Sequence, residues 1–191
     1  MRVTIVDEKL LANGRFRLTS TGVEIVTDDG ARHSLRHEVY HYKPAAALLL
    51  YDPDRACVLL VRQFRLGAYL AGAAQPLTEV CAGMLDADAP EACVIREAFE
   101  ETGVVLSGAT HAFDAFMSPG GMTEKIACFV APYSPADRTG AGGGVDADEH
   151  IEIVEHPFEE ALAMIARGEI CDAKTIALLY YAKAQALIPA R

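Results

Sequence analysis

A chain of 191 residues in which 51% of the side chains are hydrophobic can form one folded domain with a sizeable core, or one domain with an arm, and is not a disordered protein. Its formal net charge of −10 argues against nucleic acid as a partner, because binding to a phosphate backbone requires an excess of Lys and Arg. No apolar run approaches the roughly 18–20 residues of a membrane span, and the start MRVTIVDEKL lacks the layout of a signal peptide. The five scattered cysteines show no C-x-x-C spacing. We therefore expect a cytoplasmic protein with reduced thiols and no membrane partner.

The first 42 residues predict an N-terminal strand region, separate from a domain over residues 43–191. Short apolar and polar stretches alternate there, and TDDGAR carries the Asp-Gly dipeptide of a hairpin turn, so we predict two or three antiparallel strands. AAALLLYDPDRACVLLVRQF then predicts two buried strands joined by a turn at residues 52–54. A loop of small residues, LGAYLAGAAQP, and a short strand, TEVCA, follow.

A helix is predicted from Pro90 to Thr102. Proline suits the first turn of a helix, and Gly103 suits the left-handed residue just past its end. At about 100° per residue, Ala92, Ile95 and Phe99 share an apolar face.

The opposite face of this helix carries three glutamates, Glu97, Glu100 and Glu101, within five positions. Like charges at such spacings cost a few tenths of a kcal/mol per pair. One interpretation is a solvated helix face, since paired glutamates are common on exposed helices. The other is a site for a divalent cation, because Mg²⁺ prefers carboxylate oxygens and would convert the repulsion into binding.

Beyond this helix, HAFDAFM and IACFVAPY predict two strands that flank SPGGMTE. RTGAGGGVDADEH predicts a flexible acidic loop, which we assign to the functional site or its lid. HIEIVEHP predicts a strand that leads into a helix over residues 158–167, ended by Gly168, and a last helix is expected from about Ala173 to Leu187.

The stretch from Gly83 to Val104, GMLDADAPEACVIREAFEETGV, resembles the Nudix box, G-x5-E-x7-R-E-U-x-E-E-x-G-U with U apolar. Residues 96–104 match at each defined position. The front half has 12 residues between its glycine and arginine where the family has 13, and the first family glutamate has no clear counterpart, although Asp86 and Asp88 stand nearby. The resemblance implies an α/β fold, the Nudix α/β/α sandwich with a mixed sheet, here with added N-terminal antiparallel strands. It also implies hydrolysis of a nucleoside diphosphate linked to a further moiety.

The resemblance implies roles for the residues of the box. Glu97 and Glu101 would bind metal together with the backbone carbonyl of Ala82, and Glu100 would be a weaker or shared ligand in the catalytic set. Arg96 would pair with a box carboxylate and orient it. The expected cofactor is two or three Mg²⁺ ions, with Mn²⁺ as an alternative.

Two further motifs are similar to the ADP-ribose and nucleoside-diphosphate-sugar branch of the family. In SPGGMTE, residues 118–124, Glu124 would reach the metal cluster or the diphosphate. In VRQFR, residues 61–65, Arg65 would meet a phosphate, a task for which a bidentate guanidinium is suited. Glu79 could accept hydrogen bonds from a base, a sugar or water, or be an exposed strand residue.

Over nearly its whole length the chain resembles the bacterial GDP-mannose pyrophosphatase group. The matching stretches are RHEVY, VRQFR, CAGMLD with the shortened box, MSPGGMTE, AGGGVDADEHIE and GEICDAKT. The resemblance places Gly83 and Met84 in the substrate-binding set. It also implies that Lys174 contacts a substrate phosphate or sugar, the alternative being a solvated lysine near a helix start.

The acidic loop after AGGGV is the most distinctive of these matches. In the group that it resembles, an acidic residue of this loop approaches the metals as a ligand or base. Glu149 is the first choice for this residue, with Asp148 beside it at the substrate, and Asp146 is the fallback.

The same group exchanges its N-terminal strands across a homodimer. Arg36, His37 and Glu38 would then contact the nucleotide bound by the other subunit. The implied reaction converts GDP-mannose to GMP and mannose 1-phosphate. The alternatives are an ADP-ribose pyrophosphatase, and a Nudix regulator that binds nucleotides without hydrolysis; the three intact box glutamates favour an enzyme.

Overall fold

The structure, a computed structural model, describes residues 1–85, 87–145 and 150–189. The chain forms two compact units. One contains Met1–Pro44 together with Phe116–Lys125, and the other contains Ala45–Ala115 and Ile126–Arg191. The second segment of the first unit, which includes SPGGMTE, was not expected to group with the N-terminal strands.

The first unit is built on a three-stranded antiparallel sheet in the order β1-β2-β3. Its strands are β1 (Arg2–Asn13), β2 (Arg17–Val26) and β3 (Arg32–Tyr40). The predicted Asp-Gly turn joins β2 to β3: Gly30 has a φ of 85°, and the N–H of Thr27 donates to the carbonyl of Ala31 at 3.0 Å. The prediction of N-terminal antiparallel strands is confirmed.

The SPGGMTE segment pairs with the end of β3. The backbone N–H of Tyr40 donates to the carbonyl of Gly121 at 2.8 Å, and the N–H of Thr123 donates to the carbonyl of Tyr40 at 3.1 Å. The Thr123 hydroxyl donates to the carbonyl of Tyr42 at 2.9 Å. These bonds satisfy backbone groups that a loop would otherwise leave to water.

The second sheet has seven strands, with the order β10-β5-β4-β9-β8 and with β6 beside β5 and β7 beside β4. Its strands are β4 (Ala45–Asp52), β5 (Cys57–Gln63), β6 (Leu77–Glu79), β7 (Cys81–Met84), β8 (Thr110–Phe116), β9 (Lys125–Pro132) and β10 (Glu152–Pro157). β4 runs parallel to β9 and antiparallel to β5 and β7, so the sheet is mixed, as the fold expectation required.

In the part of the chain that the structure describes, four α-helices accompany this sheet. They are α1 (Leu66–Leu70), α2 (Pro90–Thr102), α3 (Phe158–Ala166) and α4 (Ala173–Ala184). α2 packs on β4 and β7, whereas α4 contacts β4 and α3. Leu48 and Leu50 of β4 are fully buried in the core cluster that includes Val94 and Ala98 of α2. In the described ranges, no helix is long and apolar enough to cross a membrane.

The predicted bounds of α2 are confirmed, but its predicted apolar face is wrong. Pro90 begins the helix and Gly103 caps it with a φ of 75°. The side of α2 that is buried carries Cys93, Val94, Ala98, Glu101 and Thr102. Phe99 is instead 47% exposed. Because α2 packs on β4 and β7 through the i, i+4, i+7 positions 94, 98 and 101, one of the three glutamates turns towards the core.

Two smaller expectations also need correction. The segment predicted as a loop of small residues contains the short helix α1. The single strand predicted at TEVCA is divided at Val80 into β6, which pairs with β5, and β7, which pairs with β4. The division lets one short stretch contact two neighbouring strands of the sheet.

Candidate active site

Glu97 projects from α2 directly onto the backbone of β7. A Cβ placed on Gly83 would lie 2.0 Å from Glu97 Oε1, so a larger residue at Gly83 would displace this carboxylate. Gly83 follows Ala82 in β7, and the predicted metal-binding set therefore includes a helix carboxylate and a strand backbone that lie side by side.

Glu101 is the most unusual carboxyl group of this region. The residue is only 5% exposed, and within the described residues its Oε2 atom is buried and forms no hydrogen bond. Burial first, and the negative charge of Glu97 second, raise the pKa of Glu101 to about 8, although the backbone of Ala82 and the Cys81 thiol lie within hydrogen-bonding reach. An ionised carboxylate is costly when one of its buried oxygens accepts no hydrogen bond, so this geometry favours a proton or a cation at Glu101.

Arg96 ties the outer glutamates of α2 together. Its Nη1 atom lies 2.7 Å from Glu100 Oε2 and 3.0 Å from Glu97 Oε1. Its Nε atom lies 3.5 Å from Asp88 Oδ2. The orienting role that the resemblance implied for Arg96 stays a prediction, and Glu101 forms no ion pair with Arg96.

The residues present fit a divalent cation such as Mg²⁺. Across the part of the chain that the structure describes, no three His, Cys, Asp or Glu side chains form a group that could hold a metal ion. Mg²⁺, however, usually takes one or two protein carboxylates and completes its shell with waters and substrate phosphate. Glu97 and Glu101 supply two carboxylates, and the unsatisfied oxygen of Glu101 supplies the reason for binding. The predicted loop acids Asp146, Asp148 and Glu149, like Asp86, lie outside the described residues.

The glycine-rich loop caps the C-terminal end of α2. The N–H groups of Gly143 and Gly144 donate to the carbonyls of Glu101 and Glu100 at 2.9 and 3.0 Å, and the N–H of Gly140 donates to the carbonyl of Gly103 at 3.0 Å. These carbonyls are among those that a helix leaves unsatisfied at its end. The loop is thus anchored beside two of the box glutamates, in line with its assignment to the site, but the sequence did not predict this capping role.

A second cluster of charges centres on Glu79. Arg65 donates to both carboxylate oxygens, from Nε at 2.8 Å and from Nη2 at 3.0 Å. Lys174 donates to Glu79 Oε2 at 2.7 Å and also lies 2.9 Å from Asp172 Oδ1. Burial raises the pKa of Glu79, but hydrogen bonds and charges from Arg65 and Lys174 outweigh it and hold that pKa below its ordinary value. Glu79 is therefore a buried anion with two cationic partners.

The two clusters are electrostatically connected. The positive charge of Arg65 lowers the pKa of Glu101, so the guanidinium lies within electrostatic range of this buried carboxyl group. Sequence reasoning placed Arg65, Glu79 and Lys174 at the site but missed their mutual contacts. It also missed Asp172, whose side chain caps the N-terminus of α4 by accepting from the N–H of Thr175 at 3.0 Å. The Asp-x-x-Thr spacing before an apolar run was the available signal.

Of the remaining predicted residues, Arg36, His37, Glu38 and Glu124 lie in the first unit, and Met84 lies in the second. The Nη2 group of Arg36 donates to both carboxylate oxygens of Asp7 at 2.7 Å, and His37 and Glu38 are exposed on β3. Glu124 is partly buried and follows the segment that pairs with Tyr40. Met84 ends β7, and its carbonyl lies 3.7 Å from the Cys93 thiol.

Comparisons with known proteins agree with this geometry. The family model for the NUDIX domain matches residues 41–179. A curated GDP-mannose pyrophosphatase of Klebsiella pneumoniae is 43% identical over 189 residues, covering 98% of this chain and 95% of the relative. One of Citrobacter koseri is 42% identical over 188 residues, covering 98% of each chain.

A solved structure described as an ADP compounds hydrolase superposes with a TM-score of 0.73 at 17% identity, covering 97% of this chain and 94% of that one. At this identity the likeness concerns the fold. The box motif from Gly83 to Val104, the domain match and the near-full-length relatives agree with one another, and the chain belongs to the NUDIX family.

Proposed function

We propose that this protein hydrolyses the diphosphate bond of a nucleoside diphosphate sugar, with GDP-mannose as the substrate and GMP and mannose 1-phosphate as the products. The observation that carries the proposal is the Glu97–Glu101 carboxylate pair against β7, with an unsatisfied buried oxygen on Glu101. The choice of substrate is supported by relatives of 42–43% identity that are GDP-mannose pyrophosphatases.

The cofactor in this proposal is Mg²⁺, two or three ions or Mn²⁺ in their place, held by Glu97, Glu101 and the carbonyl of Ala82. Bound metal would supply charge neutralisation on the diphosphate and a lower pKa for an attacking water. Glu100 and Arg96 act from the outer side of α2, where Arg96 holds Glu97 and Glu100 in place.

The chain's own residues divide the remaining tasks. An acid of the loop at 146–149, with Glu149 preferred, accepts the proton of the attacking water as the new P–O bond forms and the bridging P–O bond breaks. Arg65 meets a phosphate through Nη1, whose N–H groups form no hydrogen bond with the described residues. Gly83, Met84, Asp148 and Lys174 belong to the substrate-binding set, and Glu124 reaches the diphosphate or the metals.

The proposal includes a homodimer that exchanges N-terminal strands, in which Arg36, His37 and Glu38 contact the nucleotide of the partner subunit. The support for it is the exposure of β1, in which all 12 residues are exposed. Five of the large exposed hydrophobic residues lie on this strand: Val3, Ile5, Val6, Leu10 and Leu11. A strand of this kind needs a covering surface.

The test is Mg²⁺-dependent turnover of GDP-mannose, ADP-ribose and other nucleotide sugars, compared by kcat/KM. We expect GDP-mannose to give the highest value and Glu101→Gln to lose about 100-fold or more, because the cation loses its buried carboxylate. Glu159→Gln, an exposed glutamate in the first turn of α3, is the matched control and should keep wild-type turnover. A higher kcat/KM for ADP-ribose would transfer the proposal to that substrate, and tight binding without turnover would show a regulator.

A further inference from the structure

The pairing of Arg65 with Glu79 is unusual in its burial. The side chain of Glu79 is 2% exposed, whereas that of Arg65 is 43% exposed. The guanidinium therefore has its Nε and Nη2 groups against a buried carboxylate, while the side chain as a whole stays partly exposed. A bidentate arginine–carboxylate pair fixes the plane of the guanidinium as well as its position.

The carboxylate is held from its other side by α4. Lys174, whose side chain is 10% exposed, lies between Glu79 and Asp172 at 2.7 and 2.9 Å. Thr175 accepts a hydrogen bond from the backbone N–H of Val80, next to Glu79, at 2.9 Å. The start of α4 is thus fastened to both the side chain and the backbone of this short segment.

These contacts leave Glu79 little capacity to bind a substrate. A carboxylate offers about four acceptor sites, and Arg65 and Lys174 together occupy three of them. The residue is also almost inaccessible. Among the described residues, the Nη1 group of Arg65 forms no hydrogen bond, and it is the group of this cluster that we expect to reach a ligand.

We propose that Glu79 is a positioning residue, braced by Lys174 and Asp172, that presents the Arg65 guanidinium to the substrate diphosphate. This role rests on the proposed function only in that the ligand must contain a diphosphate, and it does not depend on which base or sugar the substrate carries. An arginine held in advance loses less side-chain freedom on binding than a free one, which improves the affinity for the phosphate.

A double-mutant cycle separates this role from direct contact. The probe is imidodiphosphate, a diphosphate with a P–N–P bridge, and its Kd is measured by calorimetry with Mg²⁺ for wild type, Arg65→Met, Glu79→Gln and the double variant. We expect about a 10-fold weakening for each single variant, and a double variant within about 3-fold of Arg65→Met alone. The proposal would be overturned if the Kd of the double variant rose by the product of the two single-variant factors, or if Glu79→Gln left the Kd unchanged.

The matched control is the exposed pair Arg167–Glu169, which has the same bidentate geometry, with Nε–Oε1 at 2.6 Å and Nη2–Oε2 at 3.0 Å. Arg167→Met, Glu169→Gln and their double variant should leave the Kd unchanged. If Glu79→Gln does not fold, Glu79→Asp replaces it in the cycle, because aspartate keeps the charge but is too short for the bidentate pair.

A kinetic readout distinguishes positioning from a loss of folding. With GDP-mannose as substrate, Glu79→Gln should raise KM about 10-fold and change kcat less than 3-fold. Arg65→Lys, which keeps the positive charge, should also have a KM above the wild-type value, because an ammonium group cannot form the bidentate pair. Absence of GDP-mannose turnover in wild type, with coupling in the imidodiphosphate cycle, would reject the proposed substrate and support the positioning role. Independent effects of the two substitutions on the Kd, together with normal GDP-mannose turnover in wild type, would support the proposed substrate and reject the positioning role.

Discussion

Glu101 combines two properties that oppose each other in the metal-free protein. Its side chain must be buried because position 101 lies on the core-facing side of α2, yet its ionised form has an unsatisfied oxygen there. Burial and the charge of Glu97 raise its pKa from 4.5 to about 8. In the metal-free protein, the unfavourable burial of the ionised carboxylate therefore makes Glu101 bind a proton more tightly, and a bound cation would take the place of that proton.

The pH dependence of stability follows from this shift. Because the folded state binds the proton more tightly, the contribution of Glu101 is fully present below about pH 4.5 and is lost as the pH rises to about 8. We expect the free energy of unfolding of the metal-free protein to fall over this window, by about 5 kcal/mol at most. Urea unfolding in EDTA should show this slope in wild type and a flatter one in Glu101→Gln; equal slopes would contradict the assignment.

At the scale of elements, the end of α2 and the glycine-rich loop form one closely packed feature. A Cβ on Gly103 would lie 2.2 Å from the carbonyl oxygen of Gly140, and Gly103 has a φ of 75°. Gly168, just past the end of α3, has the same φ of 75°, but a Cβ there would meet no atom within 4 Å. The two glycines therefore differ in packing while sharing a conformation.

This contrast gives a matched prediction for stability. Gly168→Ala should cost about 1 kcal/mol, the price of a left-handed alanine. Gly103→Ala should cost about 3 kcal/mol, because overpacking against the loop is added to the strain. The difference in the free energy of unfolding, measured by urea titration, checks the anchoring, and equal costs would show that the loop yields freely.

Local signals explain why some elements were predictable. The bounds of α2 follow from Pro90 and Gly103, which act through their own backbone conformations. The buried face of α2 depends on which strands it packs against, whereas the prediction used only the 100° spacing of Ala92, Ile95 and Phe99. Ala98 and Val94 are the residues that fit closely against the sheet.

The sequence indicated which residues belong to the candidate site, but it did not indicate which of them contact one another. The box motif pointed to Glu97 and Glu101 because both lie within one helix. The pairing of Glu79 with Lys174 joins residues that are 95 positions apart, and no periodicity within one element reports such a distance. The role of the loop glycines was hidden for the same reason, since their partners are carbonyls of another element.

At the scale of the whole molecule, the proposed homodimer depends on the apolar face of the N-terminal sheet. Ile5 pairs with Val23, which pairs with Leu35, so the three share one face, and Ile5 is 67% exposed. The adjacent row, Thr4 with Glu24, is polar and faces the other way.

Substitutions on the two faces should therefore act differently on assembly. Wild type is expected to be a dimer by light scattering, and Ile5→Glu should weaken the dimer at least about 10-fold, because a charge replaces a covered apolar side chain. Thr4→Glu places the same charge one residue away on the polar face and should leave the dimer intact. A monomeric wild type, or equal effects of both variants, would reject this surface as the interface.

The pairing of Tyr40 with the 121–123 segment constrains how the chain can vary in evolution. The bonds use the backbone groups of Tyr40 and Tyr42, and one of their partners, Thr123, lies 81 residues after Tyr42. A change of side chain at either tyrosine leaves those groups in place, whereas a one-residue insertion between Tyr40 and Tyr42 shifts the carbonyl of Tyr42 relative to Thr123. Selection at this junction should therefore act on the number of residues more than on their identity, and recombination between relatives should succeed only where both distant segments keep their lengths.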